Sequence, residues 1–278
     1  MADDKPTEMS DVLRRQIVSS TGPDQEWTRL GGQSGRKVFS VVGSRGSCVL
    51  KLDPHVIEQK FYTRFAMEVS ESGLGVPRLL GHSHDEYVLL ERVDTDLEPN
   101  IEPQTLVEEL HRLHTTVAVQ RDDVLFQPQW PSDLTGKALE RLNVSDRAIW
   151  RRAGECRDIT LDAWAPECVI SGDPNPSNWG RRERGQLVLF DWERFGVGQP
   201  ELDVAIVMRG LPSRGEIEAV ASHYSALPGR GSPEETYQRL LAWKVWTVLE
   251  FVTEPQNPAR ERTTQWLALN FGQWIGSV

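Results

Sequence analysis

The stretch that most constrains this chain runs from Ile170 to Glu193 and reads ISGDPNPSNWGRRERGQLVLFDWE. An apolar lead-in, Cys168 to Ile170, enters a loop dense in turn formers, and an apolar strand, Leu187 to Phe190, follows and ends on Asp191. Asp173, Asn178 and Asp191 therefore stand in one frame of strand, loop and hairpin. Pro174 and Pro176 stiffen the loop, because each fixes its own φ and restricts the residue before it. Turn preference alone accounts for Asp, Asn, Pro and Ser in the loop, but not for a carboxylate at the end of the strand.

Two carboxylates and an amide held this way suit phosphoryl transfer, which needs positioning and charge neutralisation more than covalent chemistry. In that chemistry one carboxylate must face the attacking hydroxyl, while an amide oxygen and a second carboxylate converge on Mg²⁺, a hard ion that prefers oxygen. Upstream, short strands at residues 27–30, 38–42 and 48–52 are separated by Gly- or Ser-rich breaks and predict an antiparallel sheet. The first break, Gly31 to Lys37, contains Gly32, Ser34 and Gly35, whose backbone amides suit nucleotide phosphates; a hairpin turn needs glycine equally. Lys51 lies in the otherwise apolar strand Val49 to Leu52 and must either snorkel out or find a partner. A helix from about Val56 to Ser70 offers Glu58, one turn before Phe61, Tyr62 and Phe65, with Glu68 as second choice. A first-turn glutamate is also favoured by the helix dipole alone.

Strands at residues 78–81 and 87–90 lead to a charged crossing at residues 91–93, where Glu91 and Val93 are placed to offer backbone groups to an adenine ring. From Pro103 the chain reads as helical. His111 and His114 fall on a helix face predicted to pack on the catalytic loop, and Asp203, at the start of another helix, is predicted to cap backbone donors or brace that loop. Leu240 to Val252 is apolar almost all round and predicts a central core helix. The chain has 278 residues and a net charge of −10, which excludes non-specific nucleic-acid binding and is compatible with a cationic small acceptor. Three scattered cysteines predict neither a disulfide framework nor a zinc site. No apolar run is long enough for a membrane span, and the first ten residues lack the basic start and apolar run of a signal peptide, so a cytoplasmic location is expected. Nothing in the sequence fixes an oligomeric state.

Gly172-Asp173 with Asn178 and the Asp191 strand end, Leu-x-x-Leu-His at residues 110–114, Val76-Pro77 and Glu58-x-x-Phe61-Tyr62 together resemble the aminoglycoside phosphotransferase and choline kinase family, over about residues 27–252. The resemblance implies an α+β, bilobal protein-kinase-like fold. It has a small antiparallel β-sheet lobe with one main helix over residues 1–92, a hinge at 93–102, and a larger, mainly helical lobe over 103–278. It further implies ATP-dependent phosphorylation of a small-molecule hydroxyl. Asp173 would take the hydroxyl's proton, Asn178 and Asp191 would bind Mg²⁺, and Lys51 with Glu58 would hold the α- and β-phosphates. Ser171 stands where the family usually has histidine, and Trp192-Glu193 follows the metal aspartate. Glu193, Glu250 and Glu254 are candidate contacts to a cationic acceptor, either an antibiotic or a metabolite such as choline, thiamine or an amino sugar. A nucleotide-binding pseudokinase and a metal-dependent hydrolase are the competing readings.

Overall fold

The computed structural model describes residues 5–6, 9–31, 36–95, 101–115, 125–161, 167–254 and 258–278. The chain begins with helix α1 (Asp11–Thr21), capped by the Ser10 hydroxyl, which accepts from the Leu13 N–H. Strands β1 (Gln25–Leu30), β2 (Lys37–Gly43) and β3 (Gly46–Leu52) follow. Next come α2 (Val56–Lys60), a π-helical turn at Phe61–Phe65, α3 (Ala66–Glu71), β4 (Leu79–Ser83) and β5 (Tyr87–Glu91). The five strands form one antiparallel sheet in the order β1-β2-β3-β5-β4.

Strand alternation sorts the two faces of this sheet. Cys48 and Leu50 of β3 point into a core with Trp27, Phe39, Tyr87, Leu89 and the α1 residues Leu13 and Ile17. Lys51, between Leu50 and Leu52 and in register with Val38 and Val88, is therefore turned to the other face. A one-residue slip of β3 would drive its ammonium into the face α1 covers, so apolar burial on that side also fixes where the lysine points.

The remaining elements are α4 (Pro103–His114), α5 (Leu134–Arg141), α6 (Arg147–Thr160), the short strands β6 (Cys168–Ile170), β7 (Trp179–Arg181), β8 (Leu187–Leu189) and β9 (Gly196–Gly198), and then α7 (Glu201–Val207), α8 (Arg214–Ser225), α9 (Pro233–Thr253) and α10 (Pro258–Ser277). Both α8 and α9 open on capping boxes, Ser213 with Glu216 and Ser232 with Glu235. Helix α9 is mostly buried between Thr236 and Val252 and packs against α5, α6, α7 and α8, so it is the central helix the apolar run predicts. Its tryptophans are core residues: Trp243 and Trp246 meet edge to face at 5.4 Å, and Trp243 donates to Gln199 Oε1 at 2.9 Å.

The fold class is α+β, one five-stranded antiparallel sheet followed by a mainly helical remainder. The chain divides into two units, Met1–Leu97 with Ser177–Phe195, and Glu98–Pro176 with Gly196–Val278. Where the sequence reading keeps residues 103–278 together, the structure counts 177–195 with the first unit. Three tertiary links account for this. Leu189 donates its N–H to the Gly75 carbonyl at 2.9 Å, Arg181 pairs with Asp94 through the backbone, and Arg182 grips Glu91. A side chain at Gly75 would sit 2.0 Å from the Leu187 carbonyl oxygen, so that approach requires glycine. Of the expected hinge, residues 96–100 lie outside the described residues.

Candidate active site

In the first unit the sheet, the helix after it and the β7/β8 hairpin place charged groups together. Lys51 Nζ lies 2.6 Å from Glu58 Oε1 and 2.9 Å from Asp191 Oδ1. Glu58 is fully buried in α2, and its Oε2 has no hydrogen-bond partner among the described residues. Burial alone would lower the pKa of Lys51, but the charges of Glu58 and Asp191 outweigh it and raise the pKa, so the ammonium stays protonated. Glu68, the alternative partner, sits in α3 and is not the carboxylate that pairs with Lys51.

The hairpin brings Asn178 and Asp191 to the same end. Trp179 pairs with Leu189, and Phe190 donates its N–H to the Asn178 carbonyl at 2.9 Å. Asp191 leaves the strand in a left-handed conformation, φ 67°, which aspartate tolerates better than most residues, and its side chain is 40% exposed. An aromatic stack ties this turn to the helix that carries Glu58: the rings of Phe61 and Trp192 lie 4.0 Å apart and nearly parallel, with Phe195 4.8 Å from Phe61. The π-helical turn begins at Phe61, so the irregular winding falls where helix and hairpin are joined.

Glu193 completes a group of three carboxylates. One oxygen each from Glu58, Asp191 and Glu193 lie within 4.8 Å of one another. Burial first, then the Asp191 charge, raise the Glu193 pKa. An all-oxygen donor set that includes an unsatisfied buried Glu58 oxygen fits a hard divalent cation. The sequence reading assigned no role to Arg36, whose Nε lies 3.1 Å from Glu193 Oε1; the one signal it left was its place within the glycine break, directly after Gly35.

The predicted nucleotide contacts divide. Gly32, Ser34 and Gly35 lie outside the described residues. Glu91 ends β5 with its N–H donated to the Arg78 carbonyl at 2.8 Å and its carboxylate held by Arg182 and Arg78, so side chain and N–H are committed within this unit. Val93 is buried.

In the second unit β6 delivers Ser171, Gly172 and Asp173. The Asp203 carboxylate, buried in α7, accepts the Ser171 N–H at 2.7 Å and the Gly172 N–H at 2.8 Å. Gly172 has φ 76°, a conformation natural to glycine, and Asp173 follows it directly, half-buried. His114 of α4 supports the brace: its Nε2 is 3.2 Å from Asp203 Oδ2 and its Nδ1 2.8 Å from the Tyr224 hydroxyl. Burial lowers the His114 pKa despite the Asp203 charge, so the imidazole is neutral; it donates through Nε2 to Asp203 and accepts the Tyr224 O–H at Nδ1. The loop is thus held through backbone N–H groups, and a serine at position 171 suffices because its side chain takes no part: Ser171 Oγ is buried without a hydrogen-bond partner among the described residues.

The acceptor candidates of this unit, Glu250 and Glu254, stand at the end of α9. Glu254 is ion-paired with Arg260, whose guanidinium also lies 4.9 Å from the Phe251 ring centre.

Solved structures of this fold include the choline kinase LicA from Streptococcus pneumoniae, with 15% identity, a TM-score of 0.61 and coverage of 96% of this chain and 98% of that one. The streptomycin–ATP–APH(2")-IIa ternary complex matches with 14% identity and a TM-score of 0.56, over 95% of this chain and 97% of that one. An aminoglycoside-3'-phosphotransferase of type VIII matches with 18% identity and a TM-score of 0.53, over 86% of this chain and all (100%) of that one. Likeness at these identities speaks to the fold. No sequence among the curated proteins matches this chain. The family assignment comes from the sequence itself: residues 26–243, most of the chain, match the profile of the phosphotransferase enzyme family, and the protein belongs to that family.

Proposed function

We propose that this enzyme transfers the γ-phosphoryl group of ATP, with Mg²⁺, to a hydroxyl of a small cationic molecule. The observation that carries this reading is Lys51, held charged between Glu58 and Asp191 at 2.6 and 2.9 Å. An ammonium fixed beside a partly exposed carboxylate is arranged for polyanionic phosphates and a cation rather than for stability alone. In this reading Lys51 holds the α- and β-phosphates, and Glu58 keeps its ammonium aimed. Asn178 and Asp191 hold Mg²⁺, which when bound neutralises charge on the phosphate oxygens. Asp173 orients the acceptor hydroxyl and takes its proton, while Asp203 holds the loop that carries it.

A cationic acceptor accords with the net charge of −10 and with the carboxylates Glu193 and Glu250. Proteins of this fold include a choline kinase and one in a ternary complex with streptomycin and ATP, and choline and streptomycin are both cationic. We place an aminoglycoside-type antibiotic slightly ahead of choline, thiamine or an amino sugar.

Label transfer from γ-labelled ATP across a panel of aminoglycosides and small alcohols tests this, with a labelled ester on one acceptor class and none with Asp173→Ala as the expected result. Transfer that survives Asp173→Ala undiminished removes the proposed base. Tight Mg·ATP binding without turnover on the panel makes the chain a nucleotide-binding pseudokinase, and acceptor-free phosphate release at the turnover rate makes it a hydrolase.

A further inference from the structure

We propose, on the strength of the phosphotransfer reading above, that Arg36 is a second phosphate-holding cation of the nucleotide site, kept in reserve by Glu193 and released when a divalent cation occupies the carboxylates. Three carboxylates, Glu58, Asp191 and Glu193, approach one another within 4.8 Å and are bordered by two cations, Lys51 and Arg36. Lys51 is fully engaged, with hydrogen bonds to both of its carboxylates. Arg36 is not. Its Nε lies 3.1 Å from Glu193 Oε1, within ion-pair distance, yet the N–H is not aligned on that oxygen, and Nε is a buried donor without a hydrogen-bond acceptor among the described residues.

What fixes the guanidinium instead is its other end. Arg36 Nη1 donates to the Asp53 carbonyl at 2.5 Å, and Asp53 sits two residues past Lys51, in the left-handed turn (φ 51°) that ends β3. The arginine is thus anchored at the strand end that carries the lysine, while its inner edge faces carboxylate without completing a hydrogen bond. Its side chain is 26% exposed and that of Glu193 22%, so both are reached from solvent. A partly exposed ion pair that completes no hydrogen bond is worth little to folding. A guanidinium fork, by contrast, matches a phosphate well and forms its strongest hydrogen bonds there. A divalent cation held at Asp191 also attracts the neighbouring Glu193 and competes with Arg36 for it, and the guanidinium N–H groups then face the added phosphates. The exchange links metal and nucleotide binding through one side chain.

Calorimetric titration of the full chain with ATP, ADP and AMP, in Mg²⁺ and in EDTA, tests this without relying on turnover. Arg36→Gln is expected to weaken Mg·ATP and Mg·ADP binding about 10-fold while AMP, which lacks the outer phosphates, binds within about 2-fold of wild type. Glu193→Gln is expected to tighten ATP binding about 3-fold in EDTA, because the reserve cation is already free. Arg36→Lys, which keeps the charge and loses the fork, should fall between wild type and Arg36→Gln. Wild-type Mg·ATP affinity in Arg36→Gln overturns the proposal and leaves the phosphotransfer reading standing. Equal losses for AMP and ATP overturn it as well, since they mark a structural role. A wild-type chain that binds no nucleotide removes both.

Discussion

Lys51 and Lys244 are two lysines inside apolar elements, one in each unit, and their surroundings have opposite character. Lys51 faces two carboxylates, and its charge is stabilised although burial opposes it. Lys244 lies in the middle of α9 and donates to the carbonyls of Ala205, at 3.2 Å, and Met208, where α7 ends. Those carbonyls are left over at the helix terminus, so Lys244 performs a capping task across the core. Among the described residues no carboxylate offsets its burial, which lowers its pKa to about 8. Burial of a lysine therefore says nothing by itself about chemistry; what sits opposite the ammonium does.

The strongest way to break this contrast is Lys51→Met. Transfer is expected to fall about 10² to 10³-fold, the scale for losing a group that stabilises developing charge. Stability should fall by about 3 kcal/mol, because Glu58 is left buried without its cation. Adding Glu58→Gln should restore the melting temperature but not the activity, which separates the two roles; activity returning in the double variant would sink the assignment of Lys51. Next in size, Lys244→Met should cost about 1 to 3 kcal/mol, from two carbonyls left without their donor, with kcat/KM of the folded enzyme within about 2-fold of wild type. A transfer defect comparable to that of Lys51→Met would erase the distinction.

The two lysines also predict opposite responses to alkali. Lys244 has a folded pKa of about 8 against an ordinary 10.5, so between those values the unfolded chain binds more protons and this group's contribution to stability rises with pH, by about 3 kcal/mol over the window. Lys51 has a folded pKa above 10.5, so its contribution is fully present below 10.5 and is lost as pH climbs through the raised value. Urea midpoints of wild type and each Met variant from pH 7 to 11 measure this as differences, and slopes of equal sign would refute it. The smallest effect belongs to a neutral contact. Tyr224→Phe removes the hydroxyl that donates to His114 and should cost about 1 kcal/mol in a thermal melt, with little change in transfer, since Asp203 still holds both loop N–H groups.

Much of this was legible in the chain because the signals are local. The short strands with their Gly- or Ser-rich breaks, the apolar run of α9 and the turn formers between Ile170 and Leu187 each act over a few residues. The frame of Asp173, Asn178 and Asp191 was visible for the same reason, and a lysine in an apolar strand announced a need for a partner. Arg36, the grip of Arg182 on Glu91 and the Tyr224 hydroxyl on His114 left no comparable mark, because surface arginines and core tyrosines are common in any sequence. Lys244 was silent too, since one cation in a long apolar helix does not disturb its pattern.

By itself the sequence determined the strands of the sheet, the core helix α9 and the hairpin that sets Asn178 beside the strand end leading to Asp191, all consequences of backbone periodicity and turn chemistry. Only the tertiary structure decided that Glu58 rather than Glu68 meets Lys51, that residues 177–195 belong with the sheet, and that one buried lysine is charged by carboxylates while the other caps a helix. Such choices rest on pairs like Lys51 and Asp191, 140 residues apart, whose meeting is selected by packing and by the cost of leaving a buried charge unpaired.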